Sequence, residues 1–228
     1  MNPKAPSPNE EFDAIVVGTG ISGGWAAKEL CEKGLKTLVL ERGRMVNHIT
    51  DYPTMNMDPW DLPNGNVLTG EERKKYHKQL RVGWAPRPDV AHFFVNDLEH
   101  PYQETKRFDW IRGYQVGGRS LTWGRQSYRW SDLDFEANAR DGAGVDWPVR
   151  YRDIAPWYDK VEAYIGVSGE ALGLPHLPDG KFEPPMQLTC PEKDLKEALA
   201  ASFEDGRLLT IGRAAHITDP EQVHEGRN

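Results

Sequence analysis

The sequence predicts an α/β fold built around a parallel sheet, and three observations carry that prediction. Phe12-Asp13-Ala14-Ile15-Val16-Val17 is a short apolar run closed by Gly18, the pattern of a buried parallel strand. Gly18-Thr19-Gly20-Ile21-Ser22-Gly23-Gly24 follows at once and runs into Trp25-Ala26-Ala27-Lys28-Glu29-Leu30, good helix formers with Ile21, Ala26, Ala27 and Leu30 to pack on a sheet. Gly34 then stops the helix, Thr37-Leu38-Val39-Leu40 supplies a second strand, and an acid, Glu41, ends it.

Each part has a chemical use. Gly18 permits the tight turn, Gly20 lets the backbone approach a pyrophosphate, and Gly23 allows close helix–strand packing. The helix N-terminus, with Ile21, Ser22 and Gly24 around it, presents free N–H groups and partial positive charge to phosphates. Glu41, 18 residues beyond Gly23 and followed by Arg42, is placed to accept hydrogen bonds from ribose hydroxyls. Strand, glycines, helix, strand and acid in this order make a Rossmann-type dinucleotide site. They do not say which dinucleotide, FAD or a nicotinamide cofactor.

Composition removes other classes. With 228 residues, 38% hydrophobic, and eight Trp, eight Tyr and seven Phe, the chain can build a core and is not a disordered segment. A net charge of -7 argues against a nucleic-acid binder. No apolar run approaches the ~18 residues of a membrane span. Met1 to Glu11 reads as a flexible, polar arm without the apolar stretch of a signal peptide, so the cytoplasm is the default location. Cys31 falls inside the first helix, where a buried, inert thiol is expected, and Cys190 precedes Pro191 with nothing to mark it as reactive. His48, His77, His92, His100, His176, His216 and His224 have no metal-ligand spacing, so no metal site is expected. No G-x-S-x-G elbow supports a serine hydrolase.

After Glu41 the expected alternation of strands and helices breaks off. Residues 45–107 form a long polar insertion with many prolines and one expected helix, near Glu71 to Leu80. Its Arg73, Lys74, Lys75 and Lys78 read as a solvated face. Some sixty residues are too many for a simple loop, and the insertion is expected to cover a cofactor or build a subunit contact.

Arg112-Gly113-Tyr114-Gln115-Val116-Gly117-Gly118-Arg119-Ser120-Leu121-Thr122-Trp123-Gly124 comes next. On its own the Gly117-Gly118 pair equally makes a hairpin turn, but the segment resembles the second flavin motif of the glucose–methanol–choline oxidoreductases. The similarity is strongest to the branch with gluconate dehydrogenase flavoprotein subunits, glycoside 3-dehydrogenases and pyranose 2-oxidase. Asp146-Trp147-Pro148, the run from Asp153 to Glu162, and Ile165-Gly166-Val167-Ser168-Gly169 also look like that branch. The resemblance implies FAD, with Arg112, Gly117, Gly118, Arg119, Ser120, Thr122, Trp123 and Gly124 along the flavin. Thr122 stands where pyranose 2-oxidase has the His that binds its flavin covalently, which implies a non-covalent cofactor here.

The resemblance further implies oxidation of CH–OH groups of a sugar, glycoside, sugar acid or polyol, with hydride passing to flavin N5. The family's catalytic His pair lies near the far C-terminus of longer chains, so no catalytic residue is assigned here and the chain reads as ending in mid-sequence. Expected partners are the carbohydrate or polyol substrate and a small subunit, a C-terminal-half chain or an electron-carrier protein, with periplasmic export alongside a partner as the alternative to the cytoplasm. A non-catalytic assembly partner and a nicotinamide-dependent reductase are the other functional readings.

The expected domains are an FAD domain over 12–145, after an arm over 1–11, and the start of an α+β substrate domain over 146–228. In the latter, Asp153 caps a helix from Ile154 to Ile165 with Ile154, Trp157, Tyr158, Val161, Tyr164 and Ile165 on one core-facing stripe. Trp130 reads as a core aromatic. Gly166 to Pro185 reads as loop, and Pro191 opens a helix over Glu192 to Phe203 that packs Leu195, Ala198, Leu199 and Phe203.

Overall fold

The computed structural model describes residues 7, 9–83, 86–219 and 221; most of the expected N-terminal arm and His224 lie outside them. The chain divides into two compact units, 1–123 and 124–228. The expected boundary at 146 falls inside the second unit.

In the first unit, β1 (Ala14–Val17) pairs in parallel with β2 (Thr37–Leu40), Ala14 opposite Thr37 and Val17 opposite Leu40. The connection is α1 (Ile21–Glu32), so the three elements form the expected parallel βαβ unit. Asp13 fixes the register at the open end, its carboxylate accepting from Lys36 N at 2.8 Å. Val16 is buried toward α1, but Ile15 and Val17, on the opposite face of the strand, are 63% and 79% exposed. The expectation of a buried strand therefore holds for one face only, because β1 pairs with β2 alone among the described residues. Cys31 is likewise exposed, contrary to expectation, since it lies on the outer side of the last turn of α1.

The insertion does not form one helix over 71–80. α2 spans only Gly70–Lys75, started by reciprocal bonds in which Thr69 Oγ1 accepts from Glu72 N and Glu72 accepts from Thr69 N. A separate 3-10 turn follows at Gln79–Val82. Asp97 causes the break. Its N–H takes the Lys75 carbonyl at 2.6 Å, and its carboxylate takes the N–H groups of Lys78 and Gln79 at 3.0 and 3.3 Å. These are groups a continuing helix would have used.

Asp97 is also the centre of a buried polar knot. Its other carboxylate oxygen pairs with Arg112 Nη2 at 3.0 Å, and Arg112 N donates to Gln79 Oε1 at 3.1 Å. Phe93 and Phe94 form the adjacent apolar core, with Tyr52, Tyr76, Val90 and Ile111 packed against it.

The second unit contains α3 (Asp132–Phe135), α4 (Ala137–Asp141), α5 (Tyr151–Ile165), a two-residue antiparallel pair of β3 (Val167–Ser168) with β4 (Ala214–Ala215), and α6 (Cys190–Ser202). α5 begins three residues before Ile154, and Asp153 sits inside its first turn, accepting from Arg150 N at 2.8 Å. The expected apolar stripe of α5 is corrected as well: Trp157 is 63% exposed. The buried residue of the helix is Glu162, drawn inward by Arg129, whose Nε donates to it at 2.8 Å while Nη2 pairs with Asp159 at 2.6 Å. Burial alone would lower the Arg129 guanidinium, but these carboxylates and Tyr151 raise it well above its ordinary value.

Trp130 is half-exposed rather than core, though it stacks edge-on with Trp147 and packs on Phe135. This cluster and the Arg129 network tie 124–147 to α5, which is why the second unit begins before 146. α6 forms as expected, but of the residues expected to pack inward only Leu199 is part-buried, while Leu195, Ala198 and Phe203 are exposed. No described helix is long and apolar enough to cross a membrane.

Candidate cofactor site

The glycine-rich loop begins at the end of β1. A side chain at Gly23 would collide with the Gly18 carbonyl oxygen and touch Val16 Cγ1 at 3.4 Å, so this glycine lets α1 lie on the strand. Gly20 is the N-cap of α1; no side chain caps the helix and no acid occupies its first turn. The opening amides, which a helix cannot satisfy internally, are thus left for an external acceptor.

Glu41 leaves β2 and turns back onto the glycine loop. Its Oε2 accepts from Thr19 N at 2.8 Å and Thr19 Oγ1 at 2.6 Å, and its Oε1 accepts from Gly43 N at 2.7 Å. Burial alone would raise this carboxyl, but the bonds from Thr19, Gly43 and Arg42 outweigh it and hold the group below the usual range. Glu41 is therefore ionised and already braces the loop; Oε2 is taken up by its two Thr19 donors, so a ribose hydroxyl would be accepted at Oε1. The neighbouring Arg42 stacks on Tyr114 at 3.8 Å.

The second glycine segment closes onto the first. Arg44 and Gln115 form a parallel bridge, and a side chain at Gly43 would strike the Gln115 backbone. Gly117, at φ 90°, and Gly118, at φ 56°, then reverse the chain into a 3-10 turn, Gly118–Thr122. A Cβ on Gly118 would lie 3.1 Å from Gly20 Cα, and Gly117 N donates to Thr19 Oγ1 at 2.9 Å. Two motifs almost a hundred residues apart in sequence meet through backbone. Thr19 is the hub of that meeting and was absent from the sequence-based site; its only signal was a hydroxyl residue between the first two glycines.

The remaining candidates divide. Ser120 Oγ donates to Gly117 O and Thr122 Oγ1 to Arg119 O, so both hydroxyls shape the turn. Ile21 and Ser22 are exposed at the start of α1, with Gly24 one turn in. Arg112 does not join them: it is buried against Asp97, between the rings of Tyr102 and Trp110. Gly124 opens the second unit. Beside the turn lies a cavity of about 810 Å³, walled by Met55, Phe93 and Phe94 from the insertion and by Leu121, Thr122 and Trp123 from the turn.

The chain suits a dinucleotide on its own geometry, with an uncapped helix start, an ionised acid beside it and glycines where side chains would block approach. Among the described residues no cluster of three His, Cys, Asp or Glu could hold a metal.

No family model matches the chain. Among curated proteins it is similar to 2-methyl-1,2-propanediol dehydrogenase of Mycolicibacterium austroafricanum, 27% identical over 75% of this chain and 27% of the relative. It is similar to the gluconate 2-dehydrogenase flavoprotein of Pantoea cypripedii, 30% identical over 71% of this chain and 26% of the relative. It is also similar to paromamine 6'-oxidase of Streptomyces fradiae, 28% identical over 90% of this chain and 32% of the relative. The chain thus spans about a quarter to a third of the length of these relatives.

Proposed function

We propose that this chain, whose curated relatives are oxidoreductases of the glucose–methanol–choline type, is the FAD-binding N-terminal portion of an enzyme oxidising CH–OH groups. The substrate class is a sugar, glycoside, sugar acid or polyol. One observation carries the reading: the Gly117-Gly118 turn packs on Gly20 and hydrogen-bonds to Thr19, making one cradle from both glycine motifs. A βαβ unit without this second layer would suit a nicotinamide cofactor equally well.

In this reading Gly18, Gly20, Ile21, Ser22, Gly23 and Gly24 surround the diphosphate, and Glu41 accepts from the adenosine ribose. Gly117, Gly118, Arg119, Ser120, Thr122 and Trp123 lie along the flavin. When bound, FAD supplies the sink for the hydride that leaves the substrate carbon. The chain's own part is to bind, orient and exclude water, and the base that takes the hydroxyl proton is not assigned to any of its residues. The fold reading assigns 12–145 to the FAD domain and 146–228 to the start of the substrate domain. A small subunit or an electron carrier is the expected partner, since the relatives include proteins named as a large subunit and as a flavoprotein.

The test is purification of the chain in the presence of FAD, followed by acid precipitation. A yellow protein that releases its flavin to the supernatant supports the reading, and Thr122, which has no imidazole, is the reason release is expected. A protein that takes up NAD(H) but no flavin overturns it. Flavin fluorescence that stays with the denatured chain overturns the non-covalent assignment alone.

A further inference from the structure

Three guanidiniums among the described residues are nearly fully buried, and each holds a carboxylate: Arg112 with Asp97, Arg129 with Glu162 and Asp159, and Arg213 with Asp179. Arg119 breaks the pattern. Its guanidinium is half-buried over the Phe94 ring, 5.1 Å from the centroid, and its Nη1 is enclosed without a hydrogen-bond partner. No carboxylate comes within ion-pair reach of it among the described residues. Burial holds the group below its ordinary value with nothing to compensate. Partial desolvation of a cation is unfavourable unless an anion shares the space, and the ring face returns only part of that cost.

Arg119 directly follows Gly118, the residue whose Cβ would lie 3.1 Å from Gly20 Cα at the N-cap of α1. Here the helix start is uncapped, and no acid stands in its first turn to neutralise either the helix or the arginine. The Gly117-Gly118 turn, held by Thr19 Oγ1, brings the chain just before Arg119 against the first motif, and the side chain extends over Phe94.

We propose that Arg119 is the counter-cation for the diphosphate of the bound dinucleotide, closing from the second glycine motif onto a group the first motif holds by backbone alone. The proposal rests on the reading of this unit as an FAD site, and it assigns to Arg119 a task distinct from lining the flavin ring. A planar guanidinium can give two parallel N–H bonds to phosphate oxygens, which a lysine cannot reproduce. Phe94 limits the directions in which it can turn, so the insertion takes part in cofactor binding through this one ring.

The test is titration of the 228-residue chain with ADP, which has the diphosphate and no flavin, and with FAD, at several salt concentrations. Arg119→Met should bind both ligands roughly 10- to 100-fold more weakly, the range of a charge-assisted hydrogen bond, and with a shallower dependence on salt. Arg119→Lys should recover part of the affinity and most of the salt dependence. Unchanged ADP affinity in a folded Arg119→Met chain overturns the proposal, even if FAD affinity falls, because the charge would then serve the ring. If the Met variant does not fold, the native chain and the Lys variant decide: ADP affinity that is insensitive to salt and equal in the two overturns it. A native chain that binds ADP but not FAD leaves Arg119 in place and overturns the flavin reading. One that binds neither overturns both.

Discussion

The glycine scaffold and the insertion lie in the same unit and are held together by opposite means. In the scaffold, contacts run through backbone: strand pairing, the bridge from Arg44 to Gln115, and Gly118 against Gly20. Side chains enter mainly as small braces, Thr19 and Glu41. In the insertion the backbone is irregular, and buried polar side chains do the holding: its Gln79 and Asp97, and Arg112 just beyond its end to which both are bonded, are each under 5% exposed. A surface that must admit a ligand close to the chain keeps side chains away. A cover without regular secondary structure must satisfy its buried backbone groups with side chains instead. The contrast predicts that single substitutions will damage the insertion most in stability and the scaffold most in binding.

The largest effect should come from Asp97→Ala. It strands the Arg112 guanidinium in a buried site and frees the N–H groups of Lys78 and Gln79. Breaking such a pair costs about 3–5 kcal/mol. Denaturant unfolding should show this loss, and a change below about 1 kcal/mol would mean the knot is not what holds the insertion.

Glu41→Ala should act in the other direction of the comparison. The loop loses the acceptor for three donors, and FAD retention should fall by about 1–3 kcal/mol in binding free energy with a smaller change in stability. Equal FAD affinity in titrations of the variant and the native chain would count against the ribose assignment. Thr19→Val sharpens the point, because it keeps the Glu41 carboxylate and its bonds from Thr19 N and Gly43 N while removing the one hydroxyl that both donates to Glu41 and accepts from Gly117 N. It should weaken FAD by about 1 kcal/mol and leave Gly117 N without its acceptor.

The smallest effect is a pH dependence at the rim of the insertion. The Phe108 N–H, followed by Lys78 and Arg81, depresses the Glu104 carboxyl from 4.5 to about 2. A depressed folded value means the stabilisation is complete above about 4.5 and is lost as pH falls toward and through about 2. Glu104→Gln should flatten that part of an acid-unfolding curve, and an unaltered curve would assign the acid sensitivity to other carboxylates.

Much of the scaffold was legible in the sequence because its determinants are local. The apolar runs around Val16 and Val39, the glycines and Glu41 act within about thirty residues of one another, and their order alone specifies strand, turn, helix, strand. The second motif was readable in the sequence only through its resemblance to a family, since Gly117-Gly118 by itself makes a hairpin equally well. α6 shows the limit of periodicity: its pattern gave the helix, but a pattern of apolar residues does not say that anything lies opposite them.

What the sequence determined by itself is therefore the βαβ unit, the place of the first glycine loop and the acid that serves it. Tertiary structure decided which residue joins the two motifs, where the helix of the insertion breaks, and that Arg119 is half-buried without a carboxylate. Thr19 meets Gly117, Asp97 interrupts α2, and Arg119 lies over Phe94 across separations no local pattern encodes. Hydrogen-bond partners and counter-charges are chosen by proximity in the folded chain. Arg112 and Arg119 are written alike in the sequence, and only the fold gives an aspartate to one and an unpaired, half-buried place to the other.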